Sequence, residues 1–356
     1  MKRFFYFLSA ATLIISNITS AQAQDSSSRG TIIINGKELD IDKYADIIEN
    51  AAETIEDAVE QAAETVEKTM EEVAKDMEDA AEAIEKDAAI NFNGRGDQRL
   101  RGSGNIITES RLVPADYHAV VTSRAIKVTL EDRTGTTAII RADDNVMPYI
   151  KIEDRNGVLN IKIDDEIRTI NSMTAEVRLP KSTDISRLEA TSASHIDVDY
   201  TIQSAKLNIA ASSAADINIS KADVTICIID ASSAANVKGS IKATECYINA
   251  TSAAKAKMQI LANSCYADAS SAADITLAGE AGTLDLEASS AANINALNAK
   301  ALVNTSADAS SGANIRVNAG KALSAGASSG GTVAYKSDHD VNIHIKKSSG
   351  GSVRKM

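Results

Sequence analysis

From Glu189 onward apolar and polar positions alternate, and the alternating pattern recurs about every twenty residues. Aligning the second serine of each small-residue motif gives Ser192, Ser213, Ser233, Ser252, Ser271, Ser290, Ser311, Ser329 and Ser349. Six positions before the aligned serine stand Leu207, Cys227, Cys246, Cys265, Leu284 and Leu323. Four before it are Leu188, Ile209, Ile229, Ile248 and Leu286, and two before it is Ala in eight of nine copies. Four after it come Ile196, Ile217, Val237, Ile275, Ile294, Ile315, Val333 and Val353. A two-residue period predicts strands. Self-similarity at this length predicts a solenoid, whose units bury a core only when stacked. The fold class expected is therefore mainly β: a parallel β-solenoid of about nine rungs, neighbours ~4.8 Å apart. Each rung reads as strand, tight turn, strand, return turn.

The small residues of the motif follow from that stacking. At a corner repeated on every level each side chain sits over its own counterpart, so only small ones avoid collision. Ser and Thr hydroxyls there are placed to satisfy backbone groups that the turn leaves unpaired. In the last copies, "DASSGAN", "GASSGGT" and "KSSGGSV", Gly replaces Ala, as suits a turn that needs a permissive backbone. The nine-serine column reads as structural.

Ahead of the repeat proper (189–356), residues 105–188 read as its β-rich opening or capping part. "VVTSRAIKV" from Val120 to Val128 is a degenerate rung. "YIKIEDRNGVLNIKI" alternates on both sides of Asn156-Gly157, a hairpin signal. A cap here covers an edge that would otherwise pair with another chain.

Residues 43–90 change period. They hold no Pro or Gly and are rich in the helix formers Ala, Glu and Lys. Apolar residues recur at Ile48, Ala52, Ile55, Val59, Ala62 and Val66, then from Met70 to Ile84, in steps of four and three with one stutter. This predicts a long acidic amphipathic α-helix before the β domain. One reading makes it a coiled-coil stalk or partner-binding element through which the chain self-associates. The plainer one makes it a solvated spacer, because a stripe built largely of Ala buries little area.

The opening "MKRFFYFLSAATLIISNITSAQAQ" has a basic start, a short apolar run and a small-x-small cleavage pattern. It reads as a signal peptide over 1–23, followed by a short segment over 24–42; a linker spans 91–104. No later stretch approaches 18 apolar residues, so no transmembrane segment is expected after signal removal. The expected location is exported: periplasm, cell surface or extracellular.

Charge sharpens the division. Residues 43–90 carry sixteen acids and four lysines, which is the entire net −12 of the chain, and the remainder is balanced. No basic stripe exists to meet phosphates, so nucleic acid is not an expected partner. There is no Trp, and three of the four Phe lie in the first seven residues. The core must therefore be aliphatic.

The [AG]-[ST]-S-[AG]-[AG]-x-[IV] repeats resemble the exported bacterial head GIN domain family of autotransporter-adhesin heads. The preceding "GSGNIITESRLVPADYHAVVTSRAIKVTLE", "IIRADDNVMPYIKIEDRNGVLNIKI" and "TAEVRLP" are similar to that family's opening segment. The resemblance runs from about Gly102 to the C-terminus. It implies small, usually Gly-rich turns in a β-helical superhelix, for which this chain uses more Ala, and it implies surface or adhesion roles without a catalytic site.

Four features could carry chemistry. Cys227, Cys246 and Cys265 occupy one position on three successive rungs, which invites a disulfide or thiolate metal site. Leu holds the same position at 207, 284 and 323, and no His joins the column, so small apolar fillers are the plainer reading. Arg95, Gly96 and Asp97 form the tripeptide that integrin ligands display, although three linker residues match easily. Glu189, Asp230, Asp268, Glu287 and Asp308 form an outward acidic column interrupted by Ala210 and Asn249. Tyr247 and Tyr266 share an outward position on adjacent rungs.

His118, His195, His339 and His344 are scattered, and the serines belong to turns. No catalytic, cofactor or metal residues are therefore assigned. The expected function is a non-catalytic envelope or surface module that binds a protein or glycan ligand or serves as a scaffold. The alternatives are a polysaccharide-active β-helix enzyme, or an envelope structural protein that binds a partner through its acidic helix.

Overall fold

The structure, a computed structural model, describes residues 31–34, 37–40, 99–337 and 341–356. The chain divides into two compact units, Met1–Arg95 and Gly96–Met356. In the first, Thr31–Ile34 and Lys37–Asp40 pair as an antiparallel hairpin with Ile32 opposite Leu39. The 24–42 segment carried no such expectation.

In the second unit the strand His195–Ala211 begins a parallel stack that continues through Asp216–Ala231, Asn236–Ala250, Lys255–Ala269, Asp274–Ala288 and Asn293–Ala309. Asn236–Ala250 shows how the sequence builds a level. Val237, Ile241 and Ala243 point inward, Thr244 and Glu245 both turn outward, and Cys246, Ile248 and Ala250 point inward again. Two successive outward residues bend the chain without ending its pairing, which resumes from Ala243↔Ala262 to Glu245↔Ser264. The expected return turn is thus a bend inside a continuous strand. Inward positions stack as Ile217↔Val237↔Ala256↔Ile275↔Ile294↔Ile315. Each fully buried Ile or Leu contributes about 1.5–3 kcal/mol from its transfer out of water, before ordering entropy is set against it.

The corners are sharper. Ser213 and Ala214 both have positive φ, 53° and 61°, and the pair recurs at Ser192/Ala193, Ser233/Ala234, Ser252/Ala253, Ser271/Ala272 and Ser290/Ala291. Ala215 N–H closes the turn on Ser212 O at 3.2 Å, as in a type I′ turn. Each corner N–H donates to the aligned serine carbonyl of the next level: Ala193 to Ser213, Ala214 to Ser233, and so on to Gly330 to Ser349. The backbone therefore largely satisfies itself by stacking, and the role expected of the hydroxyls is met at the first corner, where Ser194 Oγ accepts from Thr191 N–H. Hydroxyls of the column before the aligned serines bond partly among themselves, Ser212 to Thr191 and Ser270 to Thr251. Nine serine corners, from Ser192 to Ser349, bound about eight turns.

Arg124 and Ala125 make one further left-handed pair, and Ala125 N–H donates to Ser192 O. Beneath it, Ile106–Leu112 and Thr137–Asp143 pair antiparallel, and Ile150–Arg155 and Val158–Ile163 form a hairpin around Asn156 and Gly157, both at positive φ. Val158–Ile163 and Ala119–Thr122 lead into the stack through Arg187–Ala190. Buried Tyr117 donates its hydroxyl to Pro180 O and pins this end.

The expected fold class needs one correction. Among the described residues the fold is mainly β and no long α-helix is found, the only helical turn being the 3-10 turn Met147–Tyr149. The residues assigned to that helix, 43–90, lie outside the described residues, and the coiled coil inferred from them is withdrawn. Helix propensity with an alanine-rich stripe offers little buried area to fix such an element to a fold.

Candidate functional site

Between the return bend and the corner, every level presents three outward residues at alternate positions, and the register sets them into a grid. Level by level these are Ile226, Ile228 and Asp230; Glu245, Tyr247 and Asn249; Ser264, Tyr266 and Asp268; Thr283, Asp285 and Glu287; Asn304, Ser306 and Asp308. The grid brings together the acidic column and the tyrosine pair, which the sequence presents as separate features. It also adds Glu245 and Asp285, two positions from Tyr247 and Glu287, which a column-by-column reading passes over. Lys206 precedes this run and Lys346 follows it.

Two shallow grooves open along the face. One, of about 420 Å³, is bounded by Asp268, Glu287, Asp308, Gly326 and Lys346. The other, of about 440 Å³, is bounded by Asp285, Asn304, Ser306, Ser324, Asn342 and His344. The electrostatics are those of crowded negative charge. Burial and then the charges of Glu287 and Asp268 raise the Tyr266 phenol to about 12. Tyr247 donates its hydroxyl to Glu245 Oε2 at 2.9 Å, and that bond with its charge raises the Tyr247 pKa. Burial raises the Asp268 carboxyl. Among the described residues none of Asp230, Glu245, Asp268, Asp285, Glu287 and Asp308 forms an ion pair. Glu189, at the head of the acidic column, differs: it pairs with Arg187.

The cysteines lie inside, not on this face. Cys227, Cys246 and Cys265 are register partners, free and at most 2% exposed, in a column continued by Leu207 and Leu284. Hydrogen bonding to Cys246 and burial push the Cys227 and Cys265 thiols up. Cys246, whose thiolate would accept from both neighbours, shifts down. Among the described residues no three His, Cys, Asp or Glu side chains converge as metal ligands.

Arg95, Gly96 and Asp97 lie outside the described residues, as does His339. His195 bonds to Asp197 at 2.8 Å in a surface network with Lys127 and Asn218. His118 packs beside Gly157, and His344 lines the second groove. The corner serines Ser192, Ser213, Ser233, Ser252, Ser271, Ser290, Ser311 and Ser329 stack at an exposed edge through their carbonyls, with Ser349 at the last level.

The sequence matches the family model described as "Putative auto-transporter adhesin, head GIN domain" over residues 116–240 and 228–338. Among curated proteins none matches. Two solved structures from Parabacteroides distasonis are similar in fold. One is titled a "putative adhesin", with 17% identity, TM-score 0.52, and coverage of 72% of this chain and 100% of that one. The other is titled a "Putative lipid binding protein", with 16% identity, TM-score 0.51, and coverage of 72% of this chain and 99% of that one.

Proposed function

Because this chain belongs to the head GIN domain family, we propose that it is an exported, non-catalytic surface module holding a protein or glycan ligand on the outward face of a rigid solenoid. One observation carries the reading. The register holds the backbone constant from level to level while the outward residues of the 226–308 grid change, so the solenoid is a frame and the grid is its variable content. Such a frame loses little conformational entropy on binding, which favours recognition over flat, extended surfaces.

Chemistry on a substrate is not favoured. The serines of the first groove belong to corner columns, and the second is lined by the strand hydroxyls Thr283, Thr305, Ser306 and Ser324. No hydrogen bond among the described residues joins any of these to His344, the one histidine beside the grooves. The relative titled as lipid-binding does not redirect the reading, since Leu261, about half exposed, lies two levels from the similarly exposed Leu302 and Val303.

Protease treatment of intact cells that make the native protein tests the surface placement. Cleavage of the chain without lysis supports it. Full protection until lysis rules out a displayed adhesion module.

A further inference from the structure

We propose that the 226–308 face docks an extended polypeptide rich in lysine and arginine. Its aliphatic stems lie over Ile226, Ile228, Tyr247 and Tyr266, and its charges meet Asp230, Glu245, Asp268, Asp285, Glu287 and Asp308. The proposal rests on the surface-binding reading above and adds the chemistry of the partner.

The first ground is an electrostatic arrangement that the fold does not resolve internally. Asp268, Glu287 and Asp308 are consecutive register partners, about 4.8 Å apart along the stack, and like charges directly opposite one another destabilise a sheet. Several other outward positions on this solenoid set opposite charges or a neutral amide side by side, with Lys238 beside Lys257 an exception. Asp223 stands beside Lys242 at 2.8 Å, Lys255 beside Asp274, and Asn236 donates to Asp216. Six acids without an ionic partner among the described residues cover five adjacent levels of one face, bracketed by Lys206 and Lys346.

The second ground is the apolar and aromatic surface beside those acids. Tyr247 is 42% exposed and is the register partner of Tyr266, with Ile226 and Ile228 on the preceding level. Ring faces attract ammonium and guanidinium groups, and the long stems of Lys and Arg cover apolar surface while their heads stay in water. A neutral sugar would use the rings but leave the carboxylates uncompensated.

The third ground is extent. The five levels span roughly 19 Å, about six residues of extended chain. Small cations neutralise one or two sites over that length, and no three ligands converge on a metal among the described residues. A polybasic strand reaches the whole run.

The test uses the full chain and a fluorescein-labelled Arg-Ser-Lys-Ser-Arg-Ser-Lys peptide, read by anisotropy in low and physiological salt. Expected are binding that weakens with salt and no binding of the peptide with Glu in place of each Arg and Lys. Asp268→Asn, Glu287→Gln and Asp308→Asn together should weaken binding tenfold or more and raise the melting temperature, because like-charge repulsion is relieved. Tyr247→Leu with Tyr266→Leu, which keeps every charge, should weaken binding threefold or more. Asp199→Asn, Asp223→Asn and Glu280→Gln remove equal charge elsewhere and should change it less than twofold.

Equal losses from the two charge-removing triples would reduce the effect to net charge and overturn the proposal. Binding of a neutral glucan oligomer or an amino-sugar oligomer in preference to the peptide would overturn it in favour of a glycan, and no peptide binding at low salt would end it. Protease accessibility on intact cells is read separately, so loss of this partner chemistry and loss of the surface role are distinguishable.

Discussion

Gly326 lies directly beside Asp308 in register, and a Cβ built on Gly326 would stand 1.9 Å from Asp308 Oδ1. The missing side chain lets the carboxylate lean across the groove floor. Gly326→Ala should displace only that side-chain end, so stability should change by less than about 1 kcal/mol. Gly331→Ala meets a different neighbour: its Cβ would stand 2.3 Å from the backbone oxygen of Ala309, which cannot rotate away. A loss of about 1–3 kcal/mol is expected. Urea unfolding of both variants checks the contrast, and equal midpoints would contradict the corner packing described.

The corner alanines sit in a backbone region that suits them poorly. Ala253 has φ 60°, and left-handed backbone costs an L-residue about 1–2 kcal/mol. Glycine removes that cost but adds about 0.4–1 kcal/mol of unfolded-state entropy. Ala253→Gly should therefore be neutral or stabilising by up to about 1.6 kcal/mol. Gly312→Ala should run the other way, although its Cβ meets nothing within 4 Å. Thermal melts of the two variants should move in opposite directions.

The thiol column should be chemically silent in the native protein. With Cys227, Cys246 and Cys265 at most 2% exposed and two of them shifted up, an aromatic disulfide reagent at pH 8 should find no reactive thiol until denaturant is added. It should then find three. Cys246→Ser places a hydroxyl among sulfurs and aliphatic groups and should cost about 1–3 kcal/mol. A count below three in denaturant would show a disulfide and contradict simple packing.

Acid stability should report on Asp197. Although burial pushes its carboxyl up, hydrogen bonds from His195 and Asn218 and the charges of His195 and Lys127 hold it below the usual range. A depressed folded pKa means that the stabilisation is complete above the unfolded value of about 3.9. It is lost as pH falls through the lower folded value. Asp197→Asn should flatten that part of the pH–stability curve. An acid limb identical to that of the parent chain would remove Asp197 as a contributor.

Much of the architecture was legible because stacking repeats a constraint. Ala211, Ala231, Ala250 and Ala269 are buried partners on successive levels, so each small residue had to recur at the spacing of a turn and could be aligned. The return bend left a weaker trace: two polar residues in succession, Thr244-Glu245 or Asn263-Ser264, look like any loop. Only the unbroken pairing on either side shows that the strand continues. The candidate face was legible in pieces. Tyr247 with Tyr266 and the column from Asp230 to Asp308 stood out separately, but their neighbourhood depends on how levels lie side by side. The helix assigned to 43–90 shows the opposite limit, since local propensity carries no information on what an element packs against.

By itself the sequence determined the β-solenoid, its period, its inward columns and its small-residue corners, because periodic burial must be written periodically along the chain. The tertiary structure decided that the corners satisfy their backbone through carbonyl-to-amide stacking at Ser213, Ser233 and their counterparts. It also decided that Asp268, Glu287 and Asp308 form a column beside that of Tyr247 and Tyr266 on one face, without ionic partners among the described residues. Those relations join residues about twenty positions apart on different levels, and only lateral registry between strands brings such residues into contact.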